Sequence, residues 1–161
     1  MEIRAAAHDD WPAIYAFLRV IAADGKTYAL PDDLTSDAAR RWWFDESPWE
    51  VLVALDDGVV IGTAKVGPVR PGRGSHVATA SFMVDPAHAG QGAGAALGRH
   101  VIDLARSRGY RAMQFNAVVE TNTAAVHLWQ RLGFRILATV PQAFDHPDAG
   151  LVGLHVMHRY L

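Results

Sequence analysis

The chain has 161 residues, which suits one domain and leaves little room for a second. Half of the residues are hydrophobic, so the chain can bury a core and is not expected to be disordered. It has no cysteine, which excludes a disulfide framework and a cysteine nucleophile. Its net charge is −2, so the protein lacks the large positive potential that is typical of nucleic-acid binders.

The first predicted element is a short extended segment over residues 1–5, which is not expected to be a secretory leader. A secretory leader places basic residues before an apolar stretch, whereas this segment starts with Glu2 and Ile3. Every apolar run in the sequence is also far too short to cross a bilayer. The sequence therefore predicts a cytoplasmic protein with no membrane partner.

Two helices precede the main strands. Apolar residues at helical spacing predict an amphipathic helix from about Asp9, a favourable N-cap, to a stop at Gly25. A loop over residues 26–34 follows, and Ser36 or Asp37 then caps a second, shorter helix.

The rest of the chain alternates between strand and helix patterns. Further helices are predicted after the glycine cluster and at residues 122–132, and strands at residues 51–55, 59–64, 76–84, 112–118, 134–140 and 151–158. The order predicts a mixed α/β (α+β) domain over residues 1–161. It would have one mostly antiparallel sheet of about six to seven strands, flanked by about four helices.

The most informative segment is residues 81–97, where a strand ends at Asp85-Pro86, glycines alternate from Gly90 to Gly94, and a helix begins. Alternating glycines remove Cβ atoms, so successive backbone N–H groups can face one anion. The start of the helix adds unpaired amides and the positive end of the helix dipole. The segment therefore predicts a site for phosphate or pyrophosphate.

Two other phosphate-binding motifs fit this segment less well. A P-loop needs Gly-Lys followed by Ser or Thr, which residues 94–96 lack. A relaxed dinucleotide fingerprint does match residues 90–95, but it needs an acidic residue roughly 20 positions later, where this chain has Phe115 and Asn116. The preceding strands also form hairpins instead of opening a βαβ array, so a dinucleotide site is the weaker alternative.

Residues 81–97 resemble motif A of the GCN5-related N-acetyltransferase (GNAT) superfamily: a strand, Val-x-Pro, and a glycine-rich turn that opens a helix. Residues 122–134 are similar to motif B, Asn-x-x-Ala-x-x-x-Tyr-x-x-x-Gly-Phe. The order and separation of the motifs fit the family, as does the element order over nearly the whole chain. The resemblance implies the GNAT fold and the transfer of an acetyl group from acetyl-CoA, as cosubstrate, to an amine, without a metal.

The resemblance also implies roles for individual residues. The strand before the glycines would present backbone groups to the pantetheine arm, the glycine turn would hold the pyrophosphate, and Asn122 would bond the pantetheine amides. The implied cofactor contacts are Met83, Val84, Ala89, Gly90, Gln91, Gly92, Ala93, Gly94, Asn122 and Trp129. Asn122 is also a favourable helix N-cap, and both roles can hold at once.

Two positions depart from the family pattern. The first position of motif A, usually Arg or Gln, is Ala89, but members use mainly its backbone amide, so pyrophosphate binding should survive. Trp129 stands where many members have a tyrosine that protonates the departing thiolate. An indole N–H is a donor but not a proton acid at ordinary pH, so that role cannot be transferred to this chain.

The reaction needs a neutral amine and donors for the developing oxyanion. By resemblance, the Val84 amide would supply one donor. Glu120 is the candidate for relaying the proton, against the alternative of a solvated loop carboxylate, and His76 is a weaker candidate. Asn116 is the candidate for orienting substrate or thioester in the gap where the family's strands separate, against the alternative of a hydrogen-bonded core residue.

The acceptor side is less defined by the sequence. Tyr28 and Leu30 lie where the family builds its acceptor pocket, although Tyr28 fits a core-edge role equally well. The pair Asn116 and Asn122, with its spacing, is similar to the corresponding residues of a branch of the family that acetylates small amino and imino acids. Three functions stay open: a small-molecule N-acetyltransferase, a protein or peptide N-acetyltransferase, and a catalytically silent acyl-CoA-binding module. The family also implies a homodimer.

Overall fold

The computed structural model describes residues 1–31, 33–44 and 48–161, and its elements follow the predicted order. Residue 32 of the predicted first loop lies outside the described residues. The strands are β1 (Glu2–Ala5), β2 (Glu50–Asp56), β3 (Val59–Pro68), β4 (Val77–Val84), β5 (Ala112–Val119), β6 (Arg135–His146) and β7 (Gly150–Tyr160). The helices are α1 (Trp11–Asp24), α2 (Ser36–Phe44), α3 (Ala93–Ser107) and α4 (Thr123–Arg131), with short 3-10 turns at His8–Asp10, Gly72–Gly74 and Pro86–His88.

The seven described strands form one sheet in the order β1-β2-β3-β4-β5-β7-β6. Every neighbouring pair is antiparallel except β4 and β5, which are parallel. This confirms the predicted mixed fold with a mostly antiparallel sheet. None of the helices in the described part of the chain combines the length and the apolar character that a membrane span requires.

The helices cover both faces of this sheet. Leu52 and its neighbour Val53 belong to different cores, as the alternation of side chains along a strand requires. We call the side covered by α3 and α4 the α3 face, where Leu97 and Val101 are fully buried. The opposite side, covered by α1 and α2, is the α1 face, where Trp43 is fully buried.

The parallel strands β4 and β5 separate almost as soon as they meet. They pair only at Val77 with Ala112 and at Ala78 with Met113. Beyond that point β4 continues to Val84 and β5 to Val119 without further pairing between them. A gap therefore opens between the carboxyl-terminal halves of the two strands, as the family resemblance implies.

Several element boundaries differ from the sequence-based expectation. Strand β3 continues to Pro68, four residues beyond its predicted end at residue 64. Thr35, not Ser36 or Asp37, accepts the capping hydrogen bond from the Ala38 N–H at the start of α2.

The N-cap of α1 is Asp10 and not Asp9. The Asp10 carboxylate makes no capping bond to the helix and instead accepts hydrogen bonds from the Arg4 guanidinium at 2.7 and 2.8 Å and from the Ala7 N–H at 2.7 Å. Strand β6 continues six residues beyond the predicted end at residue 140. The turn-like residues that follow lie in a bulge within the strand, and pairing with β7 resumes at Phe144.

Candidate active site

The gap between β4 and β5 is the centre of a cleft of about 1130 Å³. Its lining comes from α1, the α1–α2 loop, α2, β4, the glycine turn, the start of α3, β5 and α4, with single residues of β6 and β7. Of the predicted site residues, the cleft brings together Tyr28, Leu30, Met83, Val84, Ala89, Gly90, Gly92, Ala93, Gly94, Asn116, Asn122 and Trp129. Gln91 and Glu120 do not belong to its lining.

The glycine turn has the backbone that the sequence predicts. Gly90 and Gly92 adopt left-handed φ angles of 79° and 87°, a region that glycine enters without steric cost. Gly92 is the N-cap of α3, and the first residues of that helix, Ala93 and Gly94, line the cleft. The unpaired N–H groups and the positive dipole end of a 15-residue helix therefore lie at the cleft wall, an arrangement that suits a pyrophosphate.

Backbone groups of β4 face the gap at alternate residues. The Asp85 N–H donates to the Ile61 carbonyl at 2.9 Å, and the Val69 N–H donates to the Val77 carbonyl at 2.8 Å. Odd-numbered residues of β4 therefore bond to β3, whereas the N–H and C=O groups of even-numbered residues such as Val84 point into the gap. This supports the expectation for Val84 and corrects the one for Met83, whose peptide groups belong to the ladder with β3.

Tyr28 connects the α1–α2 loop to the exposed backbone of β4. Its hydroxyl donates to the Phe82 carbonyl at 2.8 Å and accepts from the Phe82 N–H at 3.0 Å. Burial raises the pKa of this hydroxyl to about 12, so it stays protonated at neutral pH. Tyr28 therefore has the structural role that the sequence left open, and its side chain also lines the cleft.

Asn116 lies at a β-bulge in β5. Phe115 pairs with Met157 and Val118 with His155, so three steps along β5 match two along β7. A bulge bends the strand and redirects its side chains, and Asn116 is accordingly exposed to the cleft instead of buried in a regular strand. Its Oδ1 accepts a hydrogen bond of 2.6 Å from Gln114 Nε2, which leaves the carboxamide N–H groups available as donors.

Asn122 and Trp129 are the predicted cofactor contacts of the motif B segment, and both line the cleft from the α3 face. Asn122 is the N-cap of α4, with its Oδ1 accepting from the Ala125 N–H at 3.3 Å, so the structural role that the sequence left open is present. Trp129 is 7 % exposed and packs against Phe82 and Phe115, with ring centroids 4.7 and 4.9 Å away. Trp129 thus forms an aromatic wall beside the gap.

Glu120 is not brought to the cleft. Its carboxylate accepts a hydrogen bond from the Gly153 N–H, which ties the end of β5 to β7. The weaker candidate, His76, is not part of the lining either. The placement of Glu120 is that of a residue stabilising the sheet.

Few titratable side chains line the described part of the cleft: Asp24, Tyr28, His88 and Arg131. Asp24 forms an ion pair of 3.6 Å with Lys26, and His88 contacts Asp85 at 3.1 Å. Within residues 1–31, 33–44 and 48–161, no group of three or more His, Asp or Glu side chains is arranged to hold a metal ion.

Sequence reasoning missed the apolar residues that β6 and β7 contribute. Phe144 and Leu154 line the cleft beside Val119. Phe144 follows Pro141, which predicts the end of the strand, and lies before Asp145 and His146, so no periodic pattern marks it. Only the pairing of β6 with β7 brings Phe144 to this place.

Comparisons with known proteins agree with this geometry. A model described as "Acetyltransferase (GNAT) family" matches residues 11–134. The L-amino acid N-acyltransferase MnaT of Escherichia coli is 38 % identical over 121 residues, which cover 72 % of this chain and 70 % of that protein.

Two solved structures are similar over their whole length. A GCN5-related N-acetyltransferase from Kribbella flavida superposes with a TM-score of 0.96 at 55 % identity, covering 99 % of this chain and 97 % of the other. The yncA protein of Salmonella typhimurium, solved with its cofactor acetyl-CoA, has a TM-score of 0.87 at 29 % identity, covering 100 % and 94 %.

Proposed function

Because this chain belongs to the acetyltransferase (GNAT) family, and is an N-acetyltransferase with acetyl-CoA as its cosubstrate, we propose that it acetylates the amine of a small molecule, an amino or imino acid. The observation that carries this proposal is the continuity of the cleft. The glycine turn and α4 on the α3 face meet the Tyr28–Leu30 loop on the α1 face through the β4–β5 gap. Donor and acceptor can thus approach one point from opposite faces.

A contact across the α1 face favours a small acceptor over a peptide. Lys26, just after α1, forms an ion pair of 3.1 Å with Asp148 in the β6–β7 turn, and Gly25 lies beside Pro147. This bridge restricts the space that an extended polypeptide would need on the acceptor side. The E. coli relative is named an L-amino acid N-acyltransferase, which supports the same substrate class.

Backbone groups and amide side chains carry the proposed roles. The Val84 N–H would donate to the oxyanion that forms when the amine attacks the thioester. Asn116 would orient the acceptor or the thioester with its carboxamide N–H groups. The amides from Ala89 to Gly94 would hold the pyrophosphate, and Asn122 and Trp129 would contact the pantetheine arm.

The proton of the acceptor amine is proposed to leave through water. Of the described titratable lining residues, Asp24 is paired with Lys26 at the end of α1, and His88 contacts Asp85 at 3.1 Å beside the glycine turn. Arg131 is a cation, and the Tyr28 hydroxyl, whose pKa is raised by burial, donates its proton to the Phe82 carbonyl. Glu120 is bonded to the Gly153 amide and lies outside the lining. No described side chain at the gap itself is therefore placed to act as a general base.

Measuring thiol release from acetyl-CoA with a panel of amines, amino acids, imino acids and short peptides tests the proposal. We expect turnover with free amino or imino acids and little with peptides. Turnover confined to peptides would favour a protein N-acetyltransferase instead. Tight coenzyme A binding in calorimetry, with no turnover above hydrolysis, would favour a silent acyl-CoA-binding module.

We further propose that the protein forms a homodimer through β6. We also propose that it acts in the cytoplasm, on small molecules. β6 is an edge strand, and Leu137, Val140 and Leu151 on the β6–β7 hairpin are 60, 49 and 59 % exposed. An exposed apolar edge strand has unpaired N–H and C=O groups that can pair with a strand of another chain. The net charge of −2 gives no support for a nucleic-acid or membrane partner. Sedimentation of the wild type and of Leu137→Lys tests the dimer, which the charged variant should weaken.

A further inference from the structure

Phe144 owes its place in the cleft to an irregularity of β6. Val140 pairs with Leu154 and Phe144 pairs with Val152, so four steps along β6 match two along β7. In a regular ladder Gln142 would lie opposite Val152, and the two extra residues bring an aromatic side chain there instead. Gln142 itself adopts a left-handed φ of 52°, a strained conformation for a residue that is not glycine.

The pairing also shows on which face Phe144 lies. Met157 of β7 belongs to the core of the α3 face, so Val152, an odd number of residues away, points to the α1 face. Directly paired residues share a face, which puts Phe144 on the α1 face, the side from which Tyr28 lines the cleft. Phe144 therefore lies on the acceptor side.

Phe144 takes part in a small apolar cluster separate from both main cores. It is 6 % exposed and is the only buried residue of β6, and it packs with Val119, Val152 and Leu154. Three members of this cluster, Val119, Phe144 and Leu154, also line the cleft. The cluster thus presents apolar surface to the acceptor space, where Val20, Ile21 and Leu30 add further apolar lining.

We propose that Phe144, with Val119 and Leu154, forms a subsite for the side chain of the acceptor, and that the acceptor is an amino acid with an apolar side chain. This inference rests on the proposed function and narrows its substrate class. An apolar side chain that enters the subsite leaves water, whereas a polar side chain of the same length would lose its hydrogen bonds there. Phe144 is then a specificity-determining residue and not a catalytic one.

The test measures kcat/KM for L-alanine, L-norvaline, L-norleucine and L-glutamine in the thiol-release assay. For the wild type we expect kcat/KM to rise by about fourfold per methylene, and norleucine to exceed glutamine at least about tenfold. Phe144→Ala should lower the norleucine-to-alanine ratio about tenfold by removing one wall of the subsite. Phe144→Trp should lower it by filling the space. The control Val59→Ala, at an exposed position of β3 outside the cleft lining, should keep the wild-type ratio.

The outcomes separate this inference from the function on which it rests. If the wild type acetylates no free amino or imino acid, the proposed function fails. If it acetylates amino acids but uses glutamine as well as norleucine, only the subsite is wrong, and this comparison needs no variant to fold. The subsite is also wrong if Phe144→Ala and Phe144→Trp both bind coenzyme A and keep the wild-type ratio.

Discussion

The Tyr28 hydroxyl binds both the carbonyl and the N–H of Phe82, a residue 54 positions later in the chain. These two backbone groups face the gap because β5 has already separated from β4. One loop hydroxyl therefore completes the bonds that a neighbouring strand would otherwise make. The adjacent even-numbered positions of β4, including Val84, remain available for a ligand.

Replacing Tyr28 by Phe should lower the stability of the fold. The ring would stay in place, but the Phe82 N–H and C=O would lose their shared partner. We expect the free energy of unfolding to fall by about 1 kcal/mol, at the low end for buried groups because the cleft admits water. Urea unfolding measures this, and an unchanged unfolding midpoint would show that the pair contributes nothing.

The same variant should change the stability at alkaline pH. The pKa of Tyr28 is about 12 in the folded protein against about 10 in an unfolded chain, so the unfolded state loses this proton first. The stabilisation from this shift is complete below pH 10 and is lost as pH rises towards 12. Between pH 9 and pH 11 the wild type should lose about 1 kcal/mol more than Tyr28→Phe. Equal slopes for the two proteins would contradict the buried hydroxyl.

Two glycines offer a matched test of the pyrophosphate site. Gly92 and Gly109 have left-handed φ angles of 87° and 82°, and a Cβ at either would meet nothing within 4 Å. Alanine should cost about 1–2 kcal/mol of folding stability at both positions. Only Gly92→Ala should also raise the Kd for coenzyme A, by about tenfold or more, because Gly92 lines the cleft. Calorimetry measures the Kd of each variant for coenzyme A. Equal values for the two variants would show that the glycine turn does not bind the pyrophosphate.

Asn122 allows its cap role to be separated from its proposed cofactor role. A serine can accept the hydrogen bond from the Ala125 N–H but has no carboxamide. We expect Asn122→Ser to stay within about 0.5 kcal/mol of the wild-type stability and Asn122→Ala to lose about 1 kcal/mol. Both should raise the KM for acetyl-CoA about tenfold. If Asn122→Ser binds acetyl-CoA like the wild type, the residue is a cap alone.

The proposed loss of the amine proton to water predicts the pH dependence of the reaction. The rise of kcat/KM with pH should follow the pKa of whichever acceptor amine is used, and it should be the same in Glu120→Gln. That variant should keep activity within about threefold, since Glu120 bonds the Gly153 N–H and does not line the cleft. If kcat/KM rose at one fixed pH for all acceptors, or if this rise were absent in Glu120→Gln, Glu120 would be the general base after all.

Much of the fold could be read from local patterns. The stripe of Leu97, Val101 and Ala105 predicts α3, and the structure buries all three. The hairpin turn at Asp57-Gly58 and the helix stop at Gly109 depend on positive φ angles, which are set by residues next to one another. The same locality explains why the boundary of β6 was predicted wrongly, since Pro141 and Gln142 look like a strand end from their neighbours alone.

The order of the elements, the glycine turn at the start of α3 and the family resemblance could all be predicted from the amino acids, because helix periodicity and turn chemistry act over a few residues. The family resemblance implied the gap between β4 and β5, but only the three-dimensional structure shows that Asn116 lies at a bulge, that Glu120 lies outside the cleft, and that Phe144 enters it. Each of these depends on the register between strands far apart in the chain. Register is selected by the packing of the whole sheet, so no local pattern can reveal it.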